Sequence, residues 1–360
     1  MKKNRVWLNL LLVFIILAIL IVIIVVKNDM KSIFKVIKNA DIKYILLAVL
    51  FVILYLLFTA FSLMRLVKLR ARINPFDSFN IANCSQFYNG ITPFASGGQP
   101  FQVYYYTKVN VKPNVSTSIL MMNFIIHQFV LNVFSILALI LYFKQLVAES
   151  TTAFRIAIVI GLLINFVVFM LLIFVSLSKR CKRFFMWLVG LVYSIKPLRK
   201  KKDAMIEKTN EFFDKSQASF KELFSHIPTL LLSLTYKILS LIVYFLVPFF
   251  IFRALGVEVG VADMFFILWM TAFAFIIMSF MPTPGASGGA EWAFTEVFAT
   301  SFGVTSAQTV SALLLWRFFT YYIVMIIGAI SAMCVKRRKE DEEECELESS
   351  QTATYPKSTE

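Results

Sequence analysis

Two charged side chains in the apolar C-terminal third of the chain are the residues best suited to chemistry. Glu291 follows a segment rich in proline and glycine, and Arg317 lies about ten residues into the apolar stretch 307–333. A charge at this depth of a bilayer costs roughly 2.5–3.5 kcal/mol, so it normally has a partner or lines a cavity. Two interpretations are open. Arg317 attracts an anionic head group that Glu291 helps to orient, or the two residues form a structural ion pair.

The segment before Glu291 interrupts the apolar region with Pro282, Pro284 and three glycines. Proline removes a backbone donor and glycine permits left-handed turns. In lipid, freed backbone groups are tolerated only where protein or a water-filled cavity satisfies them. We therefore expect the tip of a broken helix inside the protein. The backbone donors of Ser287, Gly288 and Gly289 would open a half-helix that favours phosphate. Alternatively, the glycines only allow tight packing.

A second copy of this segment occurs earlier in the chain. Residues 92–98 and 283–289 share six of seven residues at an offset of 191, and Gly285 replaces Phe94. The same offset places the apolar segment 118–142 on another apolar segment, which indicates a duplicated unit. The candidate residues for lipid binding and translocation are Thr92, Pro93, Ser96, Gly97, Gly98, Gln99, Pro282, Pro284, Ser287, Gly288, Gly289, Glu291 and Arg317.

Composition predicts an all-α polytopic membrane protein. Of 360 residues, 59% are hydrophobic, whereas soluble domains are closer to 45–50%. The net charge of +15 fits basic cytoplasmic loops and does not require DNA as a partner. The four cysteines have no metal-ligand spacing, so we expect no metal, cofactor or disulfide. No P-loop or hydrolase motif is present in the sequence.

The apolar segments and charges predict six full crossings and two re-entrant hairpins in an inverted repeat, with both termini cytoplasmic. We expect a membrane domain over 1–335, with repeat halves 43–142 and 228–333, a basic cytoplasmic loop 177–227 and a disordered acidic tail 336–360. The predicted crossings are 6–26, 43–64, 118–142, 154–176, 228–252 and 307–333, and the hairpins are 76–108 and 262–302.

Basic residues in the middle of the chain predict a surface for anionic lipid on the cytoplasmic side, because each contributes about 1 kcal/mol near such a membrane. They are Lys179, Arg180, Lys182, Arg183, Arg199, Lys200, Lys201 and Lys202. Two other basic residues, Arg155 and Lys237, are expected near helix ends, where they can reach the interface. His127 is expected to be a hydrogen-bonding group between helices.

These motifs resemble those of a known family. Thr283–Glu291, followed by Arg317 in a Trp-Arg-Phe-Phe-Thr-Tyr-Tyr context, is similar to the lysylphosphatidylglycerol synthase transmembrane-domain family, also called the flippase-like domain family. Gly98-Gln99-Pro100 resembles the first conserved break of that family, where a Gly-Glu pair is more usual; here Gln99 stands in for the acid. The resemblance covers most of residues 5–335 and implies lipid movement between leaflets.

The family also includes synthases in which a cytoplasmic domain transfers lysine from lysyl-tRNA to phosphatidylglycerol, and we do not expect that domain in this chain. The first hypothesis is a translocase for an anionic or aminoacylated phospholipid, such as lysyl-phosphatidylglycerol, or for a polyprenyl-linked lipid. The second is a phosphatidylglycerol lysyltransferase or its membrane subunit, which would link the chain to resistance against cationic antimicrobial peptides. A third is a membrane scaffold with inert hairpins.

The resemblance also bears on partners and location. The expected partners are a membrane phospholipid, a separate soluble synthase and a second copy of the chain. The expected location is the plasma membrane of a bacterium.

Overall fold

The computed structural model describes residues 30–177, 183, 186–187 and 202–335, and within these ranges the chain is helical with no strand. The first half contains α1 Met30–Lys38, α2 Ile42–Val67, α3 Pro75–Gly90, α4 Gly98–Lys108, α5 Pro113–Glu149 and α6 Thr152–Leu177. The second contains α7 Lys202–Ser225, α8 Ile227–Phe245, α9 Val247–Ala254, α10 Val261–Ser279, α11 Gly289–Phe298, α12 Ser306–Arg317 and α13 Val324–Cys334.

Six helical spans in the described residues are long and apolar enough to cross a membrane, which confirms the polytopic class. They are Ile42–Val67, Pro113–Ala148, Thr152–Phe174, Ile227–Ala254, Val261–Ser279 and Ser306–Cys334. Five coincide with predicted crossings, and the predicted crossing 6–26 lies outside the described residues. The sixth, Val261–Ser279, was predicted as one arm of a re-entrant hairpin. Its 19 residues reach roughly 28 Å, close to the thickness of a hydrocarbon core.

Local sequence accounts for where the helices begin and end. Asp41 caps α2 by accepting a hydrogen bond from the backbone N–H of Lys43 at 2.9 Å. Proline at the first position of α3 and of α5 fits a site where no backbone donor is needed. The basic residues Arg65, Lys68 and Arg70 follow the apolar part of α2. We call this side of the molecule, where α2 ends and α8 begins, the basic end.

Two short turns interrupt the helices where proline and glycine predicted breaks. The first turn, Thr92–Gly98, joins α3 to α4, and the second turn, Thr283–Gly289, leads into α11. Phe94 and Gly285 occupy matching positions with φ of 54° and 60°, and the next residue in each turn, Ala95 or Ala286, is also left-handed. The two turns lie against each other. The duplicated sequence therefore produces a duplicated backbone.

The first and second halves of the chain pack closely together. The α2 helix runs alongside α8 and α9 in the opposite direction, and Ser62 and Ser233 exchange hydrogen bonds from each hydroxyl to the other's carbonyl, at 2.9 and 3.0 Å. The α3 helix packs on α13 so tightly that a Cβ at Gly328 would lie 2.7 Å from the backbone nitrogen of Phe87. In the same way α10 packs on α5. The helix before each turn, α3 or α10, thus packs on a helix of the other half.

Candidate functional site

The centre of the candidate site is an ion pair between two helices. Glu291 lies in the first turn of α11, and Arg317 is the last residue of α12. The Nε of Arg317 lies 2.8 Å from Oε1 of Glu291, as an ion pair without the alignment of a hydrogen bond. The side chains are 6% and 12% exposed. Salt and water screen such an enclosed pair much less than a surface pair.

The guanidinium of Arg317 also holds the second turn. Its Nη1 and Nη2 both donate to the carbonyl of Gly285 at 3.1 Å, and Nη2 lies 3.4 Å from the hydroxyl of Ser287. Its charge sits 4.5 Å from the centre of the Tyr321 ring, within the range of a cation–π interaction. Arg317 therefore contacts Glu291, the second turn and the Tyr321 ring.

The second oxygen of Glu291 is engaged as well. The backbone N–H of Gly288 donates to Oε2 at 2.6 Å, and Gly288 has a φ of 88° that favours glycine. The N–H of Ser287 donates to the carbonyl of Pro284 at 3.3 Å. Two of the three donors predicted to bind phosphate thus already have acceptors within the chain. The site presents a neutralised charge pair rather than an open anion cradle.

The first turn is built from neutral groups. The N–H of Gly97 donates to the hydroxyl of Thr92, and the N–H of Gly98 donates to Oδ1 of Asn89, both at 2.8 Å. Pro93, Ser96 and Gln99 are exposed. Asn89 was not among the predicted site residues, although an Asn-Gly pair just before the break is a common turn signal.

Tyr321 connects the second turn to the end of α3. Its hydroxyl donates to the carbonyl of Gly90 at the end of α3 at 3.1 Å, while its ring lies beneath Arg317. The chain is π-helical over Phe318–Ile323, which is a local widening often found at functional sites. A Cβ on Gly285 would collide with the Tyr321 ring, so this approach requires glycine in the second turn. The sequence placed Tyr321 near Arg317 but did not indicate this bridge.

The other predicted site residues fall into two groups. Pro284 is buried in the second turn and Pro282 is exposed beside it. Of the predicted basic surface, Arg183 is exposed and Lys202 begins α7. Lys179, Arg180, Lys182, Arg199, Lys200 and Lys201 lie outside the described residues.

The expectation for Lys237 was wrong. It was placed near a helix end, with its ammonium reaching the interface. The structure buries it within α8 at 5% exposure. Arg155 does lie near the start of α6, where its guanidinium contacts Thr151 and Thr152. Sequence reasoning failed for Lys237 because it could not tell which face of α8 is packed against other helices.

Two cavities lie at the basic end, away from the central ion pair. One of about 250 Å³ is lined by Phe61, Met64, Arg65, Lys68 and Tyr236. The guanidinium of Arg65 lies 5.9 Å from the centre of the Tyr236 ring. A larger cavity of about 500 Å³ lies between the start of α5 and α7, and its lining includes Arg70, Asn114, Glu211 and Lys215. Neither cavity contacts Glu291 or Arg317.

These features define a multi-pass helical membrane protein with two matching helix breaks and a charged pair at their junction. The chain matches the family model described as the lysylphosphatidylglycerol synthase TM region over residues 6–328, and it belongs to that family. This confirms the resemblance found from the sequence and indicates a lipid-related function in the membrane. A search of curated proteins gives no match to the chain.

Proposed function

We propose that this protein is a lipid translocase that moves an anionic or aminoacylated phospholipid, such as lysyl-phosphatidylglycerol, or a polyprenyl-linked lipid, between leaflets. The observation that carries the proposal is the contact between the two turns next to the enclosed Arg317–Glu291 pair. Broken helices that meet inside a membrane protein are typical of transporters, where they form the substrate site. The family assignment supports a lipid as the substrate.

The ion pair can exchange its internal contacts for contacts with a lipid head group when it opens. A closed pair neutralises both charges and holds the second turn through the carbonyl of Gly285. A lipid head group that carries a phosphate and an amine has groups that can replace each partner. Exchange of the internal pair for contacts with the head group would lower the cost of separating two enclosed charges. Arg317 and Glu291 would then bind the head group while the first and second turns separate.

The alternative function is a phosphatidylglycerol lysyltransferase, acting alone or as the membrane subunit of a separate soluble synthase. The family description names a synthase, which favours keeping this alternative. The sequence carries no motif for acyl transfer, and Glu291 pairs with Arg317 rather than with a nucleophile. We therefore place the translocase first.

The amount and the leaflet distribution of aminoacyl lipid, measured in cells with and without the protein, separate the two functions. Total aminoacyl lipid would be measured by mass spectrometry, and its outer-leaflet share by an amine label that cannot cross the membrane. The translocase predicts an unchanged total and a smaller outer-leaflet share after deletion. Loss of the total would show that the chain is needed for synthesis. An unchanged total with an unchanged outer share would contradict both functions for this lipid.

The basic residues at one end of the molecule indicate its orientation in the membrane. We place the basic end and both termini on the cytoplasmic side of a bacterial plasma membrane, because short basic loops stay on that side. This placement requires the chain to return, after Val261–Ser279, to the side where that helix begins; in support, the Phe302 ring lies 5.5 Å from the Phe266 ring near the start of α10. A cysteine-labelling experiment tests this orientation. Asn74→Cys at the basic end should react only after the membrane is made permeable. Glu258→Cys, which follows α9 at the opposite end, should react in intact cells.

A further inference from the structure

The described part of the chain buries two charged side chains, Arg317 and Lys237, each 5% exposed. Glu291 neutralises Arg317 at 2.8 Å. Within residues 30–177 and 202–335, no carboxylate lies within 4.0 Å of the Lys237 ammonium. A buried charge without a partner is costly, and in a membrane protein it usually marks a functional position. Lys237 is therefore the buried positive charge that these residues leave unbalanced.

Lys237 lies on a polar face of α8. Ser233, Lys237, Ser240 and Tyr244 are all buried, and their spacing of four, three and four residues places them on one side of the helix. Lys237 is roughly 15 Å along the axis from the start of α8 at the basic end. Tyr244 interacts electrostatically with Arg317. The polar face thus leads from the basic end towards the central ion pair.

The α5 helix presents polar groups to this face but no negative charge. His127 is close enough to Lys237 to interact with it electrostatically. One turn earlier, the side-chain oxygen of Asn123 is buried without a hydrogen-bond partner. A buried acceptor of this kind normally indicates water or a ligand in the functional state. The α5 helix therefore gives Lys237 polar neighbours but no counter-charge, and the Asn123 oxygen calls for a donor such as water or an amine rather than for the phosphate itself.

We propose that Lys237 binds the phosphate of an anionic phospholipid at an internal position between the basic end and the Arg317–Glu291 pair. The ammonium offers three donors and a charge that the described residues do not neutralise. The Arg317 guanidinium becomes available to a head group only when its contacts with Glu291 and Gly285 open, whereas the Lys237 ammonium has no ion pair to break within the described residues. The role of Lys237 in transport rests on the proposed translocase function, whereas phosphate binding rests on the residue alone.

Three variants separate a binding role from a structural one. Lys237→Met keeps the length and apolar stem of the side chain and removes its charge. It should raise the Tm of the lipid-free protein by a few degrees, because the cost of burying an unbalanced charge disappears. Lys237→Arg keeps the charge and should retain lipid binding in part. The matched control is Lys43→Met, which removes an exposed lysine at the start of α2, away from the basic end.

The first measurement is the Tm of the purified full-length chain in neutral detergent, with phosphatidylglycerol, phosphatidylcholine or glycerol 3-phosphate. Wild type and Lys43→Met should gain Tm with phosphatidylglycerol and little with phosphatidylcholine, and Lys237→Met should lose this gain. An equal gain with glycerol 3-phosphate would assign the site to free phosphate rather than to a lipid. A full gain in Lys237→Met, or a lower Tm without lipid, would overturn the proposal.

The second measurement is translocation of fluorescent phosphatidylglycerol by the same variants in vesicles. Lys237→Met should lose this activity, and Lys43→Met should retain it. If wild type moves no lipid but gains Tm as described, the translocase function falls and the phosphate site stands. If Lys237→Met moves phosphatidylglycerol at the wild-type rate, the site is not on the lipid path and this inference falls alone.

Discussion

The first turn, Thr92–Gly98, and the second turn, Thr283–Gly289, follow the same backbone path and differ in charge. Both contain two successive left-handed residues, and in both the serine hydroxyl donates to the carbonyl of the preceding proline, at 2.9 and 3.0 Å. The second turn is held by the enclosed Arg317–Glu291 pair. The first is held by neutral groups and is largely exposed. The two turns therefore share a backbone bend, whereas only the second turn has an ion pair, Arg317–Glu291, beside it.

This difference suggests a division of roles between the turns. An exposed turn fixed by neutral hydrogen bonds can move relative to its surroundings at small cost, since each such bond contributes about 1 kcal/mol. A turn held by an enclosed ion pair changes state only when that pair is exchanged for other partners. We therefore expect the head group to bind at the second turn, and the first turn to move in response. Substitutions at matching positions in the two turns should have unequal effects.

The largest effect is expected from Arg317→Ala. It leaves Glu291 enclosed without its partner and releases the carbonyl of Gly285, so we expect a loss of roughly 3–5 kcal/mol in the free energy of unfolding. Lipid translocation should be abolished. The double variant Glu291→Ala/Arg317→Ala should recover part of the stability and none of the transport, as measured by Tm in detergent and by vesicle assays. Transport at the wild-type rate in the double variant would reduce the pair to a structural role.

Gly285→Ala should have the next largest effect, in contrast to its counterpart Phe94→Gly. The new methyl group would be strained by about 1–2 kcal/mol at a φ of 60° and would also collide with Tyr321. Phe94 already adopts this conformation with a side chain, so glycine there should relieve strain and leave the Tm close to that of wild type. Thermal unfolding of Gly285→Ala and Phe94→Gly tests this contrast between the two turns. Equal losses would show that the backbone bend alone matters.

A smaller effect is expected from Tyr321→Phe. The ring stays beneath Arg317, but the hydrogen bond to the carbonyl of Gly90 is lost, at a cost of about 1 kcal/mol. If Tyr321 couples the two turns, the variant should keep its lipid-induced Tm gain and lose part of its translocation rate. A parallel loss of binding and transport would instead place Tyr321 in head-group binding alone.

The smallest effect is expected from Gln99→Glu, which introduces the acid that is more usual at this position in the family. Gln99 is exposed, so the change should alter the free energy of unfolding by no more than about 0.5 kcal/mol. Translocation should also stay near the wild-type rate. A strong gain or loss of transport would show that charge in the first turn matters, and that the two turns are more alike in function than their contacts indicate.

The helices and breaks were predictable because their signals are local. Apolar length predicted five of the six candidate spans in the described residues, and proline with glycine predicted both turns. The Glu291–Arg317 pair was predictable as one of two alternatives, since enclosed charges seek partners. The sequence did not show that Val261–Ser279 is long enough to cross, because the repeat placed it in a hairpin arm.

Other features depend on how helices rotate against one another, which a single sequence does not reveal. The bridge from Tyr321 to Gly90 requires the π-helical turn over Phe318–Ile323. The burial of Lys237 requires α8 to turn one particular face towards α5. Asn89 acts as a cap across nine residues, beyond the range of the usual helix-end patterns. The matching backbone of the two turns was predicted by the repeat, but their unequal contacts were not.

The central claim is that the Arg317–Glu291 pair takes part in moving a lipid, and purified protein in vesicles tests it most directly. Fluorescent phosphatidylglycerol that reaches the outer leaflet would be detected by an impermeant quencher. The control is Arg70→Ala, which breaks a different ion pair, with Glu222, at the basic end. The account predicts transport by wild type and Arg70→Ala, and none by Glu291→Ala/Arg317→Ala at equal reconstitution. Equal transport by all three, or by none, would contradict it.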